Sequence, residues 1–243
     1  MLATGRNEQP RSDLTVAAVA EATHPAQISG VTLPVDWQPV RIAPSKRALD
    51  ITVAGLLLLV TSPICVAIAL LVKRDGGPVF FRQRRIGSGG QMFEIKKFRS
   101  MAVDAEERLQ ADPELHASYL ANGFKLPASE DPRITRWGNF LRSTSLDELP
   151  QLVSVIRGDM SMVGPRPIIE PELVEYTRRG ARDAYLSARP GLTGLWQVSG
   201  RSALKYDRRV ALDLDYLERA SLLLDLKIIA KTAGVVLRRI GAH

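Results

Sequence analysis

The 243-residue sequence has one cysteine, Cys65, and it lies inside the most apolar stretch of the chain. One thiol cannot build a disulfide framework or a cysteine-based zinc site within a single chain, and a reducing setting fits. Neither zinc-finger spacing nor an aromatic RNA-binding signature is present, which argues against nucleic acid as a partner. Residues 1–45 lack a basic start and a continuous apolar core, so they do not read as a secretory signal. Their mix of polar residues with Ala, Val and Pro reads as a mostly disordered tail, with a short helix around Leu14 to Ala22. There is no internal repeat.

Positive charge and apolar residues are plentiful. The 45% hydrophobic content suffices for one full core, or a core plus a membrane segment. Lys and Arg number 33 against 26 Asp and Glu, a formal charge of +7. That balance favours acidic partners such as anionic lipid, phosphate or nucleic acid, without choosing among them.

From Ile51 to Val72 the chain runs 22 residues without a charge. At a rise of about 1.5 Å per residue, that is long enough to cross a hydrocarbon core of about 30 Å. Two features argue against a straight span. Ser62 and Pro63 fall at its middle, where proline removes a backbone donor and predicts a kink. Both flanks are also basic, Lys46 and Arg47 before the run and Lys73, Arg74, Arg82, Arg84 and Arg85 after it. Since Lys and Arg prefer the cytoplasmic side, a straight span puts one cluster on the wrong face. A helix that enters, bends at Ser62-Pro63 and returns satisfies both; a bitopic span and a buried soluble-core helix are the alternatives. The hydroxyls of Thr61 and Ser62 are placed to satisfy groups freed at the bend. Leu222 to Ile240, with Lys227, Lys231, Arg238 and Arg239 on one side, reads either as a second interfacial helix or as an ordinary helix packed on a core.

Beyond the apolar run, Pro78 to Ile86 and Gln91 to Met101 read as two extended segments joined by Gly87, Ser88, Gly89 and Gly90, a hairpin. The second ends in Lys96, Lys97, Phe98, Arg99, Ser100 and Met101. Asp104, Glu106 and Glu107 then open a helix, where carboxylates suit the positive N-terminal end. Cations just before carboxylates suit a phosphate with a divalent metal, and equally describe a solvated helix start. In Ser145 to Gln151, Ser145 reads as a helix cap with Glu148 as its reciprocal partner, leaving Asp147 and Gln151 unexplained. In Gly158 to Pro167, glycine and prolines fix a turn that aims Arg166 outward, for bidentate phosphate binding or a salt bridge. Pro190 to Arg201 is a second glycine-punctuated stretch, a binding loop or a packed connection.

Taken in order, these motifs carry a resemblance. Lys-Arg-x-x-Asp, the apolar run with Ser-Pro, Lys-Phe-Arg-Ser-Met, Ser-Leu-Asp-Glu-Leu-Pro-Gln, Gly-Asp-Met-Ser-x-x-Gly-Pro-Arg-Pro and Pro-Gly-Leu-Thr-Gly-Leu-Trp-Gln-Val-Ser-Gly-Arg resemble the bacterial monotopic phosphoglycosyltransferases, or polyprenyl-phosphate hexose-1-phosphate transferases. The resemblance covers roughly Ser45 to His243. It implies an α+β fold: a re-entrant membrane helix over 46–74, broken at Ser62 and Pro63, and a mostly helical cytosolic catalytic domain over 75–243 with a small antiparallel strand element. The chain resembles the minimal catalytic form.

The implied reaction is magnesium-dependent and ping-pong. An aspartate attacks the β-phosphate of a UDP-sugar and releases UMP, and undecaprenyl phosphate then takes the sugar phosphate from the enzyme. Carried onto this chain, the resemblance implies Asp104 as nucleophile and metal ligand. Some members have adjacent Asp-Glu where this chain has Asp104, Ala105, Glu106 and Glu107. Glu106 is therefore taken as the acidic partner, with Glu107 in reserve because it shares a helix face with Asp104 better. Arg99, Arg166 and Arg201 are implied to line the nucleotide and phosphate pocket, with Asp147, Glu148, Gln151 and Asp159 shaping it. Lys46 and Arg47, with Lys73 and Arg74, are expected to attract the lipid phosphate.

The implied location is the cytoplasmic face of the bacterial inner membrane, against its lipid, with a homodimer left open. Glucose 1-phosphate and galactose 1-phosphate are the implied cargoes, as the first step of exopolysaccharide synthesis. A catalytically inactive, membrane-anchored homologue or scaffold is the competing reading.

Overall fold

Pro44 begins the longest helix, α1 (Pro44–Lys73), in the first turn, where a missing backbone donor is no loss. The computed structural model describes residues 43–74, 76–122, 126–127, 131–200 and 203–237. Residues 1–42, where a short helix was expected near Leu14, lie outside the described residues, as do Arg201, Arg238 and Arg239. Helix α1 thus starts two residues before the expected boundary at Lys46.

Among the described residues α1 is the one helix long and apolar enough to cross a membrane. Its middle is uncovered: Leu59 and Val60 are each 72% exposed. A soluble-core helix would bury such side chains, so that alternative does not describe α1. Pro63 leaves the carbonyl of Leu59, four residues back, without its helical donor. The Ser62 hydroxyl donates to that oxygen at 2.8 Å, and Thr61 donates to Leu57 O at 2.6 Å, as the sequence suggested.

Both ends of α1 are fastened to the folded domain. At the start, Lys46 Nζ donates to Asp225 Oδ2 at 2.8 Å and to Val163 O at 3.2 Å. Arg47 donates to the carbonyls of Val155 and Ile156 at 2.6 and 2.7 Å, where a short helix ends. Buried Asp50 accepts from Ser161 Oγ and the Met162 amide. At the other end, Ile68 and Val72 pack with Phe98 and Leu141, and Arg99 Nη2 donates to Val72 O at 3.2 Å.

The expected hairpin is present as β1 (Phe80–Ile86) antiparallel to β2 (Met92–Phe98), with Phe80 opposite Phe98 and Ile86 opposite Met92. Helices α2 (Ala105–Ala111), α3 (Pro113–Ala121) and α4 (Gly138–Thr144) follow. The Ser145 reading needs correction: Ser145 is left-handed (φ 58°), ends α4, and makes no side-chain cap. Leu146–Gln151 forms a tight 3-10 turn into α5 (Leu152–Arg157), and Glu148 pairs instead with Lys97 Nζ at 2.6 Å. A capping residue takes an extended backbone, which the left-handed Ser145 does not have.

A second, parallel pair, β3 (Ser161–Val163) and β4 (Gly191–Thr193), was not expected. Three-residue strands are too short to show an alternating pattern. Their juncture explains two motif glycines: a Cβ on Gly191 would collide with the main chain of Gly164. Helices α6 (Glu170–Arg178), α7 (Arg182–Leu186), α8 (Tyr206–Arg219) and α9 (Leu222–Leu237) complete the domain. Its core gathers Ile95, Leu152, Val155, Met160, Ile168, Tyr185 and Leu214 with Ala54 of α1. In α9, Asp225 and Ile228 face that core while Leu223 and Leu226 are exposed, so the helix is both packed and amphipathic.

Candidate functional site

A cavity of about 590 Å³ opens between the hairpin, the start of α2, α3, the 3-10 turn, α6 and α8. Its wall is strongly cationic: Arg82, Arg85, Lys97, Arg99, Arg133, Arg142, Arg166 and Arg209 line it. The carboxyl groups facing them are Glu106, Asp131, Asp147, Glu172 and Asp213.

Asp104 occupies the N-cap position of α2 without a side-chain cap bond and pairs with Arg108 Nε at 2.9 Å across one turn. That hydrogen bond holds its carboxyl below the usual range. Its side chain is 47% exposed, and its neighbours Val103, Ala105 and Glu106 line the cavity, which puts Asp104 at the rim. Glu106 lines the cavity and Glu107 does not. The one-turn spacing argument favoured Glu107; the chain direction at α2 presents Glu106 to the cavity instead.

Arg99 lines the cavity with its donors on the carbonyls of Pro78 (2.8 Å), Met101 (3.4 Å) and Val72 (3.2 Å). It therefore fastens the cavity floor to the end of α1. Asp147 is buried beside the cavity, and burial, then Glu148, pushes its carboxyl up to about 6 against the opposing charges of Lys97 and Arg142. Arg166 lines the cavity with its guanidinium over the Trp196 ring, 5.8 Å from the centroid. Gln151 is buried behind the wall, in a small side recess with Arg166 and Glu148. Asp159 is exposed in the turn after α5 and does not line the cavity. Lys46 and Arg47 do not line it either, their donors being spent on the domain as described.

Several wall residues carried no sequence signal strong enough to single them out. Asp131 holds Arg133 in a bidentate pair at 2.8 and 2.9 Å. Burial raises the Asp131 carboxyl, but the Arg133 hydrogen bonds outweigh it and the group ends below its usual value. In the sequence Arg85 stands out only as part of the basic flank. It is buried, faces Glu172 at 3.5 Å, and burial and then Arg166 lower its guanidinium to about 10. Tyr176 donates to Asp213 at 2.9 Å, and burial pushes that carboxyl up to about 8. Arg209 lies over Trp196 at 5.3 Å. Charged residues within helical runs, such as Glu172 and Asp213, read as solvated faces until the fold turns them inward.

Among the described residues no group of three or more His, Cys, Asp or Glu side chains is placed to hold a metal ion. Magnesium commonly needs only one or two protein carboxylates beside substrate phosphates and water. Asp104 and Glu106, hard oxygen donors at one helix start, fit that requirement.

The model of the bacterial sugar transferase family matches residues 41–239. The undecaprenyl-phosphate galactose phosphotransferase of Salmonella typhimurium is 47% identical over 202 residues, covering 82% of this chain and 41% of that protein. The exopolysaccharide production protein ExoY of Rhizobium meliloti is 46% identical over 204 residues, covering 82% of this chain and 88% of that protein. The UDP-glucose:undecaprenyl-phosphate glucose-1-phosphate transferase of Escherichia coli is 39% identical over 196 residues, covering 77% of this chain and 39% of that protein. The chain spans about two fifths of the length of the Salmonella and Escherichia proteins and most of ExoY. With the match running from just before α1 to just past the end of α9, the chain belongs to the bacterial sugar transferase family.

Proposed function

We propose that this protein transfers a hexose 1-phosphate from a UDP-sugar to undecaprenyl phosphate, releasing UMP, at the cytoplasmic face of the inner membrane. The observation that carries this reading is the cationic cavity with Asp104 and Glu106 at its edge, beside the end of an apolar helix. The relatives named for galactose and glucose transfer to the same lipid phosphate support the substrate class.

In this reading the Asp104 carboxylate attacks the β-phosphorus of the donor and is later relieved of the sugar phosphate by the lipid phosphate. Asp104 is suited to attack because Arg108 keeps it ionised and α2 places it where anions are favoured. An anion approaching a diphosphate needs compensating charge, which the lining arginines supply. Asp104 and Glu106 would hold magnesium together with the donor phosphates; bound there, the ion screens charge on the transferring oxygens. Asp147, beside Lys97 and Arg142, supports the wall.

A re-entrant course for α1 is supported by its two ends, both hydrogen-bonded to one domain, and by the carbonyl at Leu59 that Pro63 frees. The exposed middle, with Leu59 and Val60, then lies in lipid. Such a course keeps both basic flanks on one face.

The test is formation of lipid-linked sugar phosphate from UDP-glucose and UDP-galactose by nanodisc-held protein with magnesium and undecaprenyl phosphate. Product from at least one donor, lost in Asp104→Asn, supports the reading. Equal activity in wild type and Asp104→Asn removes Asp104 as nucleophile, and an inert wild type supports the scaffold alternative.

A further inference from the structure

The cavity has two chemically different sides. One is apolar and open: Phe80, Phe81 and Val103 are 41%, 48% and 69% exposed. This side adjoins the end of α1, to which Arg99 ties it through Val72 O. The other side is deep and polar. Arg85, Trp196 and Asp213 are 9%, 6% and 2% exposed there, alongside the half-buried Arg166 and Arg209.

On the deep side three guanidiniums crowd together. Arg166 and Arg209 both stack on the single indole of Trp196, at 5.8 and 5.3 Å from its centroid. Arg85 is close enough for the charge of Arg166 to depress it, and so is Arg209. Arg85 Nη1 also faces Glu172 at 3.5 Å, while Asp213, which lines the same cavity, is kept largely protonated at neutral pH by its burial. Arg85 Nε, buried, has no hydrogen-bond partner among the described residues. Like charges packed in a recess, with a donor unspent, call for an anion from outside the chain.

The geometry points to Arg85, Arg166 and Arg209 as the seat of the nucleotide phosphate that departs as UMP, with Trp196 as the spacer that fixes two of the three. This rests on the aspartyl-transfer reading above. When Asp104 attacks, its oxygen bonds to the β-phosphorus, the bond from that phosphorus to the bridging oxygen breaks, and the electron pair stays on UMP. The charge that develops on the leaving phosphate falls to the guanidiniums, which are donors fixed in advance. The polyprenyl chain stays in lipid, so its phosphate comes in by the open apolar side near α1, leaving the deep side to the water-borne nucleotide.

The experiment is UMP binding by calorimetry to the full chain in nanodiscs. Wild type is compared with Arg209→Gln, Arg209→Lys, Arg85→Gln and Arg178→Gln, an exposed arginine away from the cavity. Arg209→Gln and Arg85→Gln should weaken UMP binding about tenfold or more, as for a lost charge-assisted hydrogen bond. Arg209→Lys should recover part of it, and Arg178→Gln should bind as wild type. Because Arg85 is buried, circular dichroism checks its variant, and the Arg209 pair decides if that variant unfolds. Unchanged UMP affinity in Arg209→Gln overturns the proposal. So does unchanged UMP affinity combined with slowed transfer from preformed phosphosugar enzyme to undecaprenyl phosphate, which makes the trio a lipid-phosphate seat. If UMP binding falls as expected but Asp104→Asn still releases UMP, the seat stands and the aspartyl reading fails.

Discussion

Lys46 at the start of α1 and Asp225 in α9 meet at 2.8 Å across 179 positions of sequence, with the Asp225 side chain 1% exposed. Tyr216 of α8 also donates to Asp225, at 2.8 Å, so one carboxylate joins the apolar helix to the last two helices. Removing one partner of a buried pair costs more than removing both, because the survivor loses its compensation. Lys46→Met should lower stability by about 3 kcal/mol, and Lys46→Met with Asp225→Leu by less. Thermal melting in detergent checks this, and additive losses would show that the pair is not coupled.

Asp213 predicts a pH dependence. An unfolded aspartate gives up its proton near 3.8, whereas burial holds the folded one until about 8. Between those values the folded state keeps a proton that the unfolded state has lost, so stability falls as pH rises through the window and the loss is complete above 8. Asp213→Asn, which still accepts from the Tyr176 hydroxyl, removes this titration. The melting temperature of the wild type should drop between pH 6 and 8 more than that of Asp213→Asn; parallel curves would contradict the burial argument.

Pro63 and Ser62 predict a topology change. In Pro63→Leu the restored amide bonds Leu59 O and removes the proposed cause of re-entry, favouring a straight span. Protease added outside spheroplasts should then reach residues before Pro44 in a fraction of the molecules, and in none of the wild type. Cleavage of the wild type would favour the bitopic course.

Gly191→Ala should disrupt the β3–β4 juncture, because its Cβ meets the Gly164 main chain. Arg166 and Trp196 follow those strands, so UMP affinity and expression should fall together. Normal UMP binding in this variant would mean that the crossing does not position the cavity wall.

Much of this architecture is legible in the sequence because its signals are local. The charge-free run, the glycine-linked hairpin and the acidic start of α2 each declare themselves within about twenty residues. The Ser62 hydroxyl bond to Leu59 also followed from proline chemistry alone. The partners of Lys46 and Arg47 were not legible for a long-range reason: Asp225 and Val155 lie 179 and 108 positions away. Ser145 failed because its left-handed backbone depends on how α4 meets the 3-10 turn, which residue spacing does not encode. Arg85 and Asp213 were invisible as wall residues because only the packed fold turns those positions inward.

The central claim is that Asp104 carries the sugar phosphate between two half-reactions. Its most direct test is UMP released by nanodisc-held protein from its UDP-hexose with magnesium and no undecaprenyl phosphate, measured on the first turnover. The account predicts a burst approaching about one UMP per enzyme, as an accumulating covalent intermediate requires, and none from Asp104→Asn. UMP that appears only once undecaprenyl phosphate is added, or a burst that survives in Asp104→Asn, would contradict it.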